Sequence, residues 1–188
     1  EKGNLRVDNA IFRNSEQGIL TATDPNGSVV VERVTFSGLG GCPGGMCSHS
    51  IYIGDIGSLT VRSCRFERGT GGHYVKSRSA RVEIADNSFD DTRGFETNYM
   101  IDLPAGSVGS VTGNEFVQGK NKENYSAFIA VGAEDRLHPS AGLVIAGNKA
   151  SFAAGVDRNS TFVADWTREP LKIANNTLAP GLTLFGRR

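Results

Sequence analysis

Val82-Glu83-Ile84, a two-residue corner, then Asn87-Ser88-Phe89: this strand, turn and second strand decide the fold, because the chain writes the phrase repeatedly. Leu59-Thr60-Val61 precedes Cys64-Arg65-Phe66, Val111 precedes Asn114-Glu115-Phe116, and Ile173 precedes Asn176-Thr177-Leu178. Aligned on the position two before the aromatic, one column reads Ala10, Val34, Cys64, Asn87, Asn114, Asn148, Asn176, at spacings of 24, 30, 23, 27, 34 and 28 residues. A fixed core with one loop of variable length gives that pattern.

A second short strand recurs ahead of each phrase: Ile19-Leu20-Thr21, Ile51-Tyr52-Ile53, Tyr74-Val75-Lys76, Met100-Ile101-Asp102, Phe128-Ile129-Ala130 and Phe162-Val163-Ala164. The runs are short, rich in Val, Ile and Phe, and punctuated by Gly, Asn, Asp and Ser, with no helical period of useful length. Parallel strands need a long crossover, yet each circuit takes only about two dozen residues. A coiled ribbon satisfies both facts, because the winding is itself the crossover. The expected fold is all-β: a right-handed parallel β-helix, or solenoid, of about seven coils with an Asn ladder, forming one domain over residues 1–188. Stacked Asn side chains at a strand spacing of about 4.8 Å can hydrogen-bond as a ladder, and Asn tolerates the left-handed backbone of a sharp corner. Phe12, Phe36, Phe66, Phe89 and Phe116 would form an interior file.

Composition excludes several classes of partner. Twenty basic residues balance twenty acidic ones, so no global field draws in nucleic acid or an anionic membrane. No apolar run is long enough to span a membrane, and residues 1–20 show no basic-then-apolar leader. Cys42 and Cys47 flank a glycine-rich loop, where a disulfide, two free thiols or a metal pair completed by His49 are the competing readings. Cys64 occupies the ladder column and reads as a buried, inert thiol.

Outward positions on consecutive coils become neighbours in space. The alignment stacks Thr21, Ile53, Lys76, Asp102, Ala130 and Ala164, and two positions later Thr23, Asp55, Arg78, Pro104, Gly132 and Trp166. A third column holds Gly18, Ser50, His73, Tyr99, Ala127 and Thr161. Lys76 is thereby expected to face Asp102, and Arg78 to face Asp55, with His49, Tyr52, His73 and Tyr99 close by. Salt bridges holding the coils in register are the competing reading of these pairs. Tyr52 falls among Leu, Val and Ile, which favours core packing for its ring over a hydroxyl reaching the site.

His49-Ser50-Ile51-Tyr52-Ile53-Gly54, Gly72-His73-Tyr74-Val75-Lys76-Ser77-Arg78 and Val131-Gly132-Ala133-Glu134 resemble the recurring segments of bacterial right-handed parallel β-helix proteins in the pectate-lyase-like superfamily. The likeness runs from about residue 5 to 180. It implies a secreted, periplasmic or cell-surface protein that lays a polysaccharide or oligosaccharide along an outer sheet. The chain departs from the calcium-dependent pattern: it lacks a tight group of carboxylates on neighbouring coils, so no cofactor is expected and bound Ca²⁺ is not supported.

β-Elimination on a uronate needs a cation for the C6 carboxylate, a base for the C5 proton and an acid for the leaving oxygen. Lys76 and Arg78 can supply the cation, and Lys76, His73 or Tyr52 the base; Asp102 completes the candidate catalytic set. His49, Tyr74, Tyr99 and Glu134 are the candidate substrate-binding residues. Asp102 with Glu134 is the carboxylate pair a glycoside hydrolase would use. Asp90 and Asp91 read as a solvated turn, and Trp166 with Phe162 as a sugar-stacking platform or a cap. Loops at 37–48, 90–98, 117–125 and 133–141 would wall a groove. A polysaccharide lyase, a non-catalytic glycan-binding module and a structural piece of a longer solenoid are the three function classes. Coil ends imply a terminal cap over Leu182 to Phe185, a homo-oligomer or a larger parent protein.

Overall fold

The structure, a computed structural model, describes residues 3–41 and 47–188. Its strands recur in threes. The first coil is β1 (Asn4–Asp8), β2 (Ile11–Ser15) and β3 (Ile19–Leu20); the second is β4 (Asp24–Glu32), β5 (Thr35–Leu39) and β6 (Ile51–Ile53). The third is β7 (Ile56–Arg62), β8 (Arg65–Glu67) and β9 (Val75–Ser77), and the fourth β10 (Arg81–Ala85), β11 (Ser88–Asp90) and β12 (Ile101–Leu103). The fifth is β13 (Val108–Thr112), β14 (Glu115–Gln118) and β15 (Ala127–Val131), and the sixth β16 (Val144–Ala146), β17 (Lys149–Phe152) and β18 (Ser160–Asp165). The last is β19 (Lys172–Ala174), β20 (Thr177–Leu178) and β21 (Leu182–Arg187). Each strand of a triplet joins its counterparts in one of three seven-stranded parallel sheets, so the chain makes about six full turns from first strand to last. We call these sheets A (beginning at β1), B (at β2) and C (at β3).

The interior is built of files. Rings of Phe12, Phe36, Phe66, Phe89 and Phe116 stack at centroid separations of 5.3, 4.9, 4.8 and 4.8 Å. The register then passes to Ala150 and Leu178, and the space is taken by Phe128 and Phe162, both wholly buried. Phe162 is therefore core, and the sugar-platform reading fails for it. Near the start of β18 its ring packs on Phe116 and Phe128 inside the coil.

Beside that file runs the polar ladder. Asn87 Nδ2 donates to Asn114 Oδ1 at 2.9 Å, Asn114 Nδ2 to Asn148 Oδ1 at 3.0 Å and Asn148 Nδ2 to Asn176 Oδ1 at 2.9 Å. Each of these amides also donates to a carbonyl one coil back, as Asn114 does to Ile84 at 2.9 Å. Cys64 caps the file with its backbone N–H on Asn87 Oδ1 at 2.8 Å, and its buried thiol is raised above the ordinary cysteine value by desolvation. The left-handed corner falls one residue earlier than the sequence reading placed it: Asn9, Arg33, Ser63, Asp86, Gly113, Gly147 and Asn175 all have φ between 51° and 66°. Division of labour explains the shift. One residue bends the backbone, and the next closes the hydrogen bonds that the bend exposes.

Two other expectations change. Asp91 is fully buried rather than solvated: it accepts from Tyr74 Oη at 2.7 Å, Thr97 Oγ1 at 2.8 Å and Gly119 N at 3.1 Å, and pairs with buried Lys122 Nζ at 3.2 Å. That network ties the long loops 90–98 and 117–125 to the third coil. Leu182–Arg187 does not fold across the end; it pairs with β18 as a further parallel strand. Cys47 is disulfide-bonded, while Cys42 lies outside the described residues.

Candidate functional site

The outer face of sheet C gathers nearly all of the candidate residues. Its register runs Leu20, Tyr52, Lys76, Asp102, Ala130, Ala164. The sequence alignment was one residue out on the first two coils, which puts Tyr52, not Ile53, beside Lys76. Tyr52 consequently lies outside the core. Three positions earlier on each coil, just ahead of the strand, His49, His73 and Tyr99 stack, with centroids 5.0 and 5.6 Å apart, and His49 meets Tyr52 edge to face at 5.2 Å.

Tyr74 does not belong to this face. It precedes β9, at the corner where the chain turns into sheet C, and points inward: it is 1% exposed, packs between Phe66 and Phe89 and spends its hydroxyl on Asp91. Desolvation, with the Asp91 charge next to it, holds that hydroxyl well above the ordinary tyrosine range. It has no route to a ligand.

At the centre, Lys76 Nζ lies 3.2 Å from Asp102 Oδ2 and 2.7 Å from Glu134 Oε1, over the Tyr52 ring at 5.8 Å. Burial alone would depress this amine, but Asp102 and Glu134 outweigh it and hold it above the usual lysine value. Arg78 divides its guanidinium: Nε donates to Tyr52 Oη at 3.2 Å, one terminal nitrogen pairs closely with Glu134 Oε2, and the other lies 3.4 Å from Asp135. Arg78 does not face Asp55 as expected. Asp55 instead pairs with His138 Nε2 at 2.9 Å. Burial works to raise the Glu134 carboxyl, yet the two cations hold it below the ordinary range.

Beneath them the protons can be placed by geometry. His73 Nδ1 lies 3.3 Å from the Tyr99 carbonyl, which can only accept, so that nitrogen carries hydrogen and Nε2 is left facing Asp102 Oδ2 at 3.4 Å. His49 Nδ1 accepts the His73 backbone N–H at 3.0 Å, so its proton sits on Nε2. Desolvation, helped by the Lys76 charge, pushes His49 down to about 4. Desolvation also lowers His73 well below its ordinary value, with His49 and Lys76 adding to it. Asp102 is 2% exposed, its Oδ1 has no hydrogen-bond partner, and burial pushes its carboxyl up to about 6 despite Lys76.

Asp135 and His138 are the contributors that sequence reasoning missed. The only signal for them was the long insertion 133–141, whose direction of travel no pattern reveals. Among the described residues, no group of three or more His, Cys, Asp or Glu side chains is disposed to hold a metal ion. Among the same described residues, no helix is long and apolar enough to cross a membrane. No protein-family model, curated protein or solved structure matches the chain.

Proposed function

We propose that the outer face of sheet C binds the carboxylate of a uronic-acid-containing polysaccharide and that the protein is a polysaccharide lyase acting by β-elimination. The single observation behind this reading is that Lys76 Nζ and the Arg78 guanidinium converge on the two oxygens of one carboxylate, while the same guanidinium holds the Tyr52 hydroxyl. Two cations on one carboxylate are the arrangement that withdraws charge from a uronate and acidifies its C5 hydrogen. The likeness of the coil segments to pectate-lyase-like proteins, and an exported location, belong to the same proposal.

Of the three candidate bases, Tyr52 fits best. His73 has both ring nitrogens engaged and is buried, and Lys76 is held protonated between carboxylates. In the proposed step the ionised Tyr52 oxygen takes the C5 proton. The C5–H pair forms the C4–C5 double bond, the C4–O bond breaks, and the departing oxygen receives a proton from the same phenol. Lys76 and Arg78 neutralise the carboxylate throughout, and Asp102 and His73 position Lys76 from below. The test is incubation with a panel of polyuronates while following ultraviolet absorbance of the unsaturated product. A rise that vanishes in Tyr52→Phe supports the reading, and none with any polymer rejects catalysis by this route.

A second reading has an observation of its own. Asp102 is shifted up and Glu134 down while Lys76 bridges them, a split that suits the acid and the base or nucleophile of a glycoside hydrolase. The near-complete burial of Asp102 under Lys76 weighs against it. New reducing ends without ultraviolet absorbance would favour the hydrolase; binding without turnover would favour a glycan-binding module.

A further inference from the structure

The carboxylate between Lys76 and Arg78 comes from far along the chain. Glu134 is 58 residues beyond Lys76 and 56 beyond Arg78. It sits at the start of a strap, residues 132–141, that leaves the fifth coil and lies back across the site. Backbone bonds fix the strap on the fourth coil: Gly132 N to Leu103 O at 2.9 Å, Glu134 N to Pro104 O at 3.0 Å and His138 N to Ala105 O at 2.9 Å. Its side chains reach further, Glu134 and Asp135 one coil to Arg78 and His138 two coils to Asp55.

We infer that Glu134 is a built-in competitor: it holds the two cations as an internal surrogate for a ligand's carboxylate, and an anionic ligand binds by displacing it. This deepens the uronate reading and rests on it for the identity of the ligand. The strap's backbone is tied down at three points, whereas the Glu134 side chain is 41% exposed, so displacement requires only rotation about its side-chain bonds, a nanosecond event. The consequence for specificity is quantitative. A tethered group competes at an effective concentration that is roughly millimolar, and a lone carboxylate gains little at a half-exposed ion-pair site. A free monosaccharide therefore binds weakly. A polymer with uronates along several coils binds better, because its further contacts have no internal rival. The surrogate lowers the affinity of every carboxylate ligand by one common factor, so only ligands with those further contacts stay tightly bound.

The test uses the whole protein, wild type and Glu134→Gln, which keeps side-chain volume at a half-exposed position and whose folding a melting curve checks. Titration calorimetry with galacturonate and its trimer, with neutral galactose trimer as control, reads the effect. Both galacturonate lengths should bind Glu134→Gln more tightly by the same factor, on the order of tenfold, since both must displace the same group. The neutral control should not change. Unchanged or weaker galacturonate binding in Glu134→Gln, with the wild type binding the trimer, overturns the inference and leaves the uronate reading intact. If neither protein binds galacturonate, citrate serves as a plain carboxylate probe. A several-fold gain for citrate in Glu134→Gln then upholds the competitor and removes the uronate assignment, and no gain overturns the competitor as well.

Discussion

Arg78 Nε donates to the hydroxyl of Tyr52 across 3.2 Å, joining the strand end of one coil to the outer face of the coil before it. Because that contact uses Nε while the terminal nitrogens of Arg78 address carboxylates, binding and proton transfer meet at one guanidinium. Tyr52→Phe separates the two. The ring should keep its edge-to-face packing on His49, so KM for a uronate polymer should stay within a few-fold while kcat falls by about 10²–10⁴. Steady-state kinetics checks this split; a matched rise in KM with kcat unchanged would make Tyr52 a binding residue only.

The ladder should carry stability in proportion to its burial. Asn114→Ala removes the acceptor of the Asn87 backbone N–H at 3.0 Å and the donor to Ile84 O, both inside the coil. Leaving buried backbone groups unpaired costs about 1–3 kcal/mol each, so we expect a loss of about 3 kcal/mol by urea unfolding. Asn176→Ala, at the part-buried end of the file, should cost about 1 kcal/mol on the same reasoning. Equal costs at the two positions would contradict a burial-graded ladder.

Those files are what made the fold legible. Asn87, Asn114, Asn148 and Asn176, and the five stacked Phe rings, repeat because identical side chains at one strand spacing satisfy each other. Sheet C was harder to register. Its strands around Tyr52 and Lys76 are three residues long, and Ile51-Tyr52-Ile53 against Tyr74-Val75-Lys76 offers apolar residues in either frame, so a one-residue slip went undetected. The slip hid Tyr52 while the cluster of Lys76, Arg78, Asp102, His73, His49 and Tyr99 was legible; Tyr74 was misplaced for a separate reason, because it precedes β9, where the corner and not the strand's alternation sets the direction of a side chain. The strap was illegible for another reason: Glu134 reaches its partners through tertiary packing, which no local period encodes.

The buried pair under the loops gives a third expectation. Lys122→Met keeps the side-chain length but strands the Asp91 charge in a site from which water is excluded. Removing one partner of a buried pair costs about 3–5 kcal/mol, offset in part here by the three donors that remain on Asp91. Thermal and urea unfolding should place this variant among the least stable single substitutions. A near-neutral effect would show that the Tyr74, Thr97 and Gly119 donors suffice alone.

The pH dependence of stability should carry opposed signatures from one cluster. Asp102 titrates at about 6 when folded, against roughly 4 when unfolded. The folded protein thus holds a proton that the unfolded chain has released, so this group's favourable contribution is complete below roughly pH 4 and is lost as pH rises through 6. His49, lowered to about 4, acts the other way: its contribution is complete above roughly pH 6.5 and is lost as pH falls through 4. Asp102→Asn removes only the first term. The stability of Asp102→Asn relative to wild type should therefore improve by up to about 3 kcal/mol between roughly pH 4 and 7. A difference that stays constant over that range would mean Asp102 is not protonated in the folded protein.

The central claim is that Lys76 and Arg78 recognise a carboxylate on a sugar chain, and carboxylate masking tests it most directly. Titration of the intact protein with a galacturonate oligomer and with the same oligomer fully methyl-esterified changes one chemical feature and no other part of the ligand. The account predicts that the acid form binds, that the ester binds at least tenfold more weakly, and that Arg78→Ala erases the difference between them. Equal affinity for acid and ester, or an acid-specific affinity that survives Arg78→Ala unchanged, would contradict it.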